Sequence, residues 1–186
     1  MTAVNETATA SALTGRIRRA IRDVPDCPKP GIVFKDITPL LGDPSLFRET
    51  TDAMADAFAD QRITHVVAIE SRGFILGAPV AQRLGAGFVP VRKAGKLPAK
   101  TVAEEYALEY GADVLEVHAD ACDWARVPRV LIVDDVLATG GTADATRRLI
   151  EGLGADVVGF SFLIVLGFLP GLERLKGKSL RALVTY

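Results

Sequence analysis

The sequence predicts a single α/β domain built on a largely parallel sheet. Short apolar, β-branched runs alternate along the chain with segments whose apolar residues fall at helical spacing. One run, Val130, Leu131, Ile132 and Val133, is apolar at every position, as a strand buried on both faces requires. Behind it stand two carboxylates, Asp134 and Asp135, then a small-residue turn, then a helical pattern with Ala145, Leu149 and Leu153 on one face. That order places a ligand beyond the carboxyl end of a parallel strand, where open α/β sheets bind them.

The elements follow in order. Residues 1–12 are rich in Ala and Thr without periodicity and read as a disordered N-terminal tail, leaving 13–186 as the domain. Ile17, Ile21 and Val24 then mark a helix with Arg16, Arg18, Arg19 and Arg22 on its other faces, ended by Pro25. The turn Pro28-Lys29-Pro30-Gly31 leads into an extended Ile32-Val33-Phe34. Residues 35–39 cannot continue a helix into Pro39. Asp43-Pro44 is a cap followed by proline in the first turn, with Phe47, Thr51, Met54 and Phe58 as the buried stripe. Residues 64–69 are a strand, and a helical segment then runs to Leu84, with Pro79 in its first turn or kinking it. Residues 87–91, 114–117, 130–133, 157–166 and 180–185 are further strands. Residues 92–111 read as a long polar connection, of the kind that is functional when it occurs in a compact domain. There is no internal repeat.

Composition narrows the function classes. A chain of 186 residues buries a substantial core, and its net charge of −1 carries no nucleic-acid or membrane-surface signature. Two cysteines, Cys27 and Cys122, are too few for a disulfide scaffold and suit a reducing compartment. The longest apolar run, residues 157–169, is interrupted by Gly159 and Gly167 and is too short to span a bilayer. The first residues lack the basic and apolar regions of a secretory signal. The expectation is a soluble, cytoplasmic protein.

The chemistry concentrates at residues 134–142. Ala138, Thr139, Gly140, Gly141 and Thr142 offer unpaired N–H groups and the positive end of a helix dipole, which suit a phosphate; the threonine hydroxyls add donors. A glycine at 140 would let the backbone approach that phosphate closely. Asp134 and Asp135 would repel a phosphate, so they should face hydroxyls that donate to them, and vicinal ribose hydroxyls fit. The stretch asks for a sugar phosphate. It is neither a Walker loop nor a dinucleotide turn, because no Gly-Lys-Ser/Thr and no Gly-x-Gly-x-x-Gly is present.

Residues 129–143 resemble the phosphoribosyl-pyrophosphate signature of the type I phosphoribosyltransferases. Pro30-Gly31-Ile32-Val33-Phe34-Lys35-Asp36, Glu70-Ser71-Arg72-Gly73-Phe74, Arg92-Lys93-Ala94-Gly95-Lys96-Leu97-Pro98 and Leu108-Glu109-Tyr110-Gly111 are similar to further landmarks of that family. Their order and spacing narrow the resemblance, over residues 17–166, to the members that act on adenine. It implies a largely parallel sheet flanked by helices, with a mobile loop, a small N-terminal hood and a homodimer. It implies transfer of the phosphoribosyl group from phosphoribosyl pyrophosphate to adenine, giving AMP and pyrophosphate.

The resemblance also assigns residues. Val33 reads the adenine edge through its backbone, Phe34 and Leu166 flank the base, and Lys35 stands where arginine is common, beside a ring nitrogen. Ser71, Arg72, Arg92, Lys93 and Lys96 face the pyrophosphate, with a cis peptide before the serine. Mg²⁺ is the implied cofactor, held by pyrophosphate and ribose rather than by direct side-chain ligation. Glu109 lies near N7 of the base as the catalytic carboxyl, while Glu104 and Glu105 stay solvated. Cys27 and Val165 depart from the family pattern, which favours an aromatic and an acidic residue there. His65 and His118 lack metal-ligand spacing and read as structural. Taken alone, Phe34 is equally a core aromatic, and the basic residues a basic surface. The competing functions are a phosphoribosyltransferase for a 6-oxopurine or orotate, and a non-catalytic regulator that senses the sugar phosphate. The only basic helix, at Arg16 to Arg22, has no helix-turn-helix partner before it, which disfavours a DNA-binding regulator.

Overall fold

Seven strands in the order β5-β6-β4-β3-β7-β8-β9 form the main sheet of a computed structural model that describes residues 3–107 and 112–186. The chain divides into two compact units, Met1–Thr51 and Asp52–Tyr186.

In the first unit, α1 (Ala3–Ala20) takes in residues that composition assigned to a loose tail; Ala is the strongest helix former, and four lie in residues 3–12. Ile17 and Ile21 are buried as the spacing required. Val24 is not helical: it ends β1 (Arg22–Val24), which pairs antiparallel with β2 (Phe34–Asp36). Pro39 lies inside the short helix α2 (Thr38–Leu41), and Pro44 opens α3 (Pro44–Asp56). Asp43 caps α3 as expected, its Oδ1 accepting from Ser45 N and Leu46 N at 3.0 Å each.

The second unit is the α/β body. Strand β3 (His65–Ile69) is buried at every position and lies between β4 (Gly87–Lys93) and β7 (Arg129–Leu137), parallel to both. Next come β8 (Asp156–Val165) and β9 (Ser179–Thr185), also parallel. The helices α4 (Arg72–Leu84) and α5 (Gly141–Gly152) connect these strands. Pro79 lies inside α4. Gly77 lets that helix approach the sheet, since a Cβ there would come within 2.6 Å of the Ala68 Cβ. A short helix, α6 (Gly171–Arg174), precedes β9 and was not foreseen.

The largest departure from expectation is at residues 92–111. Strand β4 continues to Lys93, and β5 (Thr101–Ala107) and β6 (Ala112–His118) form an antiparallel hairpin on its edge. Alternation in Val102, Glu104 and Tyr106 against Ala103 and Glu105 carried that signal, which polarity concealed. Leu108, Glu109, Tyr110 and Gly111 lie outside the described residues. His65 sits on β3 and His118 on β6. Both cysteines are free.

Asp36 anchors the β1–β2 ribbon. It accepts from Thr38 N and Oγ1 at 2.9 Å each, and from Arg22 Nε at 3.0 Å and Nη2 at 2.5 Å. The Thr38 amide and the Arg22 guanidinium together pull its carboxyl down to about 2. A depressed carboxyl contributes stability above its unfolded value and loses it as pH falls through its folded value. Asp36→Asn should therefore lower the melting temperature at pH 7, and the gap should close between pH 3.8 and about 2. Thermal melts across that range check it; a gap that does not change with pH would contradict it.

Candidate active site

A cleft of about 560 Å³ opens at the carboxyl ends of β3 and β7. Glu70, Ser71 and Arg72 line it from the end of β3, Lys93 from β4, Tyr106 from β5, and Asp134, Asp135, Ala138 and Thr142 from β7 and the turn after it. A recess of about 80 Å³ continues into residues 138–142. Sequence reading ended the strand at Val133, whereas β7 runs to Leu137 and carries both carboxylates within its last turn of pleat.

The turn is shaped by two glycines. Gly140 has φ of 77°, the left-handed region, and stands immediately before α5. Its role differs from the one expected. A Cβ on Gly140 would meet Gly171 Cα at 3.0 Å and Gly171 O at 3.2 Å, so protein backbone crowds that face. Gly171 in turn donates its N–H to Ala138 O at 3.0 Å, and a Cβ there would fall 2.4 Å from that oxygen. The turn is braced from behind by α6, and its N–H groups at the start of α5 suit an anion.

The acidic pair is enclosed, Asp135 buried and Asp134 half-buried. Asp135 is 4% exposed, and its Oδ2 lies 2.8 Å from Arg72 Nε, at ion-pair distance but without an aligned hydrogen bond. Asp134 Oδ1 accepts from Asp135 N at 2.9 Å. Burial and the neighbouring Asp135 push the Asp134 carboxyl well above the usual range; burial also raises Asp135, against the pull of Arg72. Gly73 lets the first turn of α4 close on the pair, since a Cβ there would sit 2.8 Å from Asp134 Oδ1. The peptide between Glu70 and Ser71 is cis.

Of the five residues expected to face pyrophosphate, Ser71, Arg72 and Lys93 line the cleft. Arg92 is turned onto Glu70, Nε to Oε2 at 3.1 Å, and its Nη1 donates to the carbonyl of Lys96 at 3.2 Å. The Lys96 side chain is exposed and outside the cleft lining. Glu70, Tyr106 and Asp113 were missed as site residues. Lys93 Nζ lies 3.1 Å from Asp113 Oδ2, and the Tyr106 hydroxyl donates to the same oxygen at 3.3 Å. Only the pairing of β5 and β6, which sets Tyr106 opposite Asp113, brings these groups together.

Glu104, expected to stay solvated, is part of an exposed ion pair. It accepts from Arg148 Nε of α5 at 2.6 Å, because the hairpin places β5 against that helix. Glu105 is exposed. Lys35 is not a free solvated charge either: its Nζ lies 2.6 Å from Asp23 Oδ1 across the β1–β2 ribbon. Within the first unit Val33 is exposed and Phe34 half-buried. In the second, Leu166 follows β8 and donates its N–H to Leu137 O at 2.9 Å, one residue before the 138–142 turn. Glu109 lies outside the described residues.

A parallel sheet with an enclosed acidic pair, a glycine turn on a helix and a cationic strand end is an arrangement suited to a sugar phosphate. The family model of the phosphoribosyl transferase domain matches residues 38–174, and the chain belongs to that family. Its relatives are specific. It is 55% identical to the adenine phosphoribosyltransferase of Myxococcus xanthus over 178 residues, 96% of each chain. Against that of Thermobifida fusca the figure is 58% over 169 residues, 91% of this chain and 95% of the other. The crystal structure of adenine phosphoribosyltransferase from Rhodothermus marinus superposes with a TM-score of 0.89 at 53% identity, covering 95% of this chain and 99% of that one. The Saccharomyces cerevisiae enzyme, complexed with D-2,5-dideoxy-2,5-imino-altritol 1,6-bisphosphate and adenine, gives 0.86 at 38%, covering 93% and 99%.

The acidic pair predicts a conflict between stability and binding. A carboxyl raised in the folded state contributes most when protonated, and stability falls as pH rises from its unfolded value through its folded one. Asp134→Asn keeps the acceptor for Asp135 N and removes the buried charge. It should raise the melting temperature at pH 7, by about 2–4 °C per kcal/mol relieved, and the gain should shrink toward pH 3. The same variant should weaken binding of a ribose phosphate. Calorimetric melts and titrations with AMP check both; a variant destabilised at neutral pH would contradict the charge assignment.

Proposed function

We propose that the protein transfers the phosphoribosyl group from phosphoribosyl pyrophosphate to adenine, giving AMP and pyrophosphate in purine salvage. The observation that carries the proposal is the conjunction, in one cleft, of Asp134 and Asp135, the 138–142 turn at the start of α5, and the cationic group of Arg72 and Lys93. Relatives named as adenine phosphoribosyltransferases across nearly the full chain support the choice of base over a 6-oxopurine, orotate or a sensing role.

In this reading the N–H groups and hydroxyls of Thr139 and Thr142, with Ala138, Gly140 and Gly141, hold the 5′-phosphate. Asp134 and Asp135 accept from the ribose hydroxyls. These charge-assisted hydrogen bonds offset the burial of the two carboxylates. Ser71, Arg72, Lys93, Arg92 and Lys96 neutralise pyrophosphate as the bond between C1 of the ribose and its leaving oxygen breaks. C1 gains oxocarbenium character, and adenine N9 forms the new bond from the opposite face. Catalysis here is positioning, charge neutralisation and exclusion of water, because hydrolysis of the activated sugar competes.

Base recognition falls to Val33, Phe34 and Lys35 in this account. The Val33 carbonyl accepts from the exocyclic amine of adenine, which hypoxanthine lacks, and an unpaired acceptor penalises the wrong base. Phe34 and Leu166 flank the ring. Glu109 is assigned to N7, where its carboxyl shares a proton with the base.

Mg²⁺ enters as a substrate-borne ion held by pyrophosphate and ribose rather than by direct side-chain ligation, in a cleft lined by the oxygens of Asp134, Asp135 and Ser71. When bound it supplies charge neutralisation for the pyrophosphate. A homodimer and a cytoplasmic location complete the proposal. Exposed Ile75, Trp124 and Phe168 offer apolar surface for a second copy, and no described helix is long and apolar enough to cross a membrane.

The test is direct. The protein is incubated with phosphoribosyl pyrophosphate, Mg²⁺ and one base at a time: adenine, hypoxanthine, guanine or orotate. AMP should form with adenine, and the other bases should react at least about 10⁴-fold more slowly, the scale on which an unpaired buried acceptor discriminates. Nucleotide formed faster with another base, or with none, would overturn the proposal.

A further inference from the structure

The cleft's cations already carry partners of their own. Arg72 faces Asp135, Arg92 faces Glu70, and Lys93 faces Asp113. The first two acids have other duties: Asp135 belongs to the acidic pair, and Glu70 also accepts from Lys93 N at 3.1 Å, fixing the crossover of backbone from β3 to β4. Asp113 is different. It lies on β6, in the hairpin, and reaches across the sheet edge to a lysine on β4.

We propose that Asp113 is an internal counter-ion that competes with pyrophosphate for Lys93 and so sets the affinity of the cleft for that anion. The inference rests on the reading of Lys93 as a pyrophosphate residue and adds a residue that no family landmark includes. An anion reaching the Lys93 ammonium meets a carboxylate 3.1 Å away, which must withdraw or share its partner. Asp113 has somewhere to go. Its Oδ1 accepts from Val114 N at 2.9 Å and its Oδ2 from the Tyr106 hydroxyl at 3.3 Å, so it stays hydrogen-bonded without the lysine. Lys93 is also free to turn, since its side chain is 58% exposed while that of Asp113 is 25% exposed. The exchange therefore breaks one solvent-screened ion pair and leaves no buried group orphaned. Tyr106, which lines the cleft beside Thr142, keeps its contact with Asp113. The competition also favours departure: a carboxylate that reclaims Lys93 helps release pyrophosphate after transfer.

Asp113→Asn keeps the shape and the acceptor for Val114 N while removing the competing charge. Titration of Mg²⁺ and inorganic pyrophosphate into the full chain should show binding tightened by about two- to five-fold, the span of an exposed ion pair. The gain must act through Lys93. In a Lys93→Met background, titrated at pyrophosphate concentrations raised to saturation, Asp113→Asn should change the affinity by less than about 1.5-fold. Equal affinity of wild type and Asp113→Asn would overturn the assignment, leaving the transferase reading intact. Equal tightening in both backgrounds would overturn it too, by showing a diffuse field effect rather than exchange. Wild-type protein that binds no pyrophosphate would overturn the functional reading and this inference together.

Discussion

Two adjacent carboxylates buried at the end of a central strand are the constraint on which this structure turns. Asp134 and Asp135 sit where β7 leaves the core, and burial alone would drive both toward the neutral form. Arg72, at the first position of α4, limits that drive for Asp135, and Gly73 beside it allows the helix to stand close enough. Behind the turn, Gly171 brings α6 against the carbonyl of Ala138, leaving the N–H groups at the start of α5 to face outward. A fold seeking stability alone would have little use for this arrangement. In the proposed function, the hydroxyl donors of a ribose relieve it.

The hairpin is the second organising element. Glu104 on β5 pairs with Arg148 on α5, and Arg148 also bonds Asp144. Asp144 holds Arg147 at 2.8 Å, Arg147 holds Glu151 at 2.5 Å, and Glu151 reaches Lys178 at 2.8 Å. Each exposed pair is worth about 0–1 kcal/mol alone, but the chain links the hairpin to α5, the helix that the 138–142 turn leads into. At the other edge of the same hairpin, Asp113 and Tyr106 meet Lys93. The hairpin stem thus contacts both α5 and the Lys93 side of the cleft.

Much of this was legible in the chain. The apolar run 130–133, the acid pair and the glycine turn located the site because their chemistry is local: strand, turn and helix are consecutive, and each residue type has few other reasons to stand there. Asp43 before Pro44 fixed the start of α3 in the same way. What failed was non-local. Val24 looked helical by spacing with Ile17 and Ile21, yet it pairs with Phe34, a partner that no window around it contains. Residues 92–111 looked like a polar loop because an edge hairpin with one wet face alternates weakly. Gly171 gave no signal, since its reason is the carbonyl of Ala138, 33 residues away. Glu104 and Lys35 looked solvated until Arg148 and Asp23 were placed beside them.

The central claim is that the 138–142 turn at the start of α5 is a phosphate cradle with the ribose on the acid pair beside it. Hydrogen exchange of backbone amides in the presence of AMP tests it most directly, with adenosine as the control that lacks the phosphate. The account predicts that AMP slows exchange at residues 139–143 and that adenosine leaves those amides unchanged. Equal protection by both ligands, or protection by AMP confined to other parts of the chain, would contradict it.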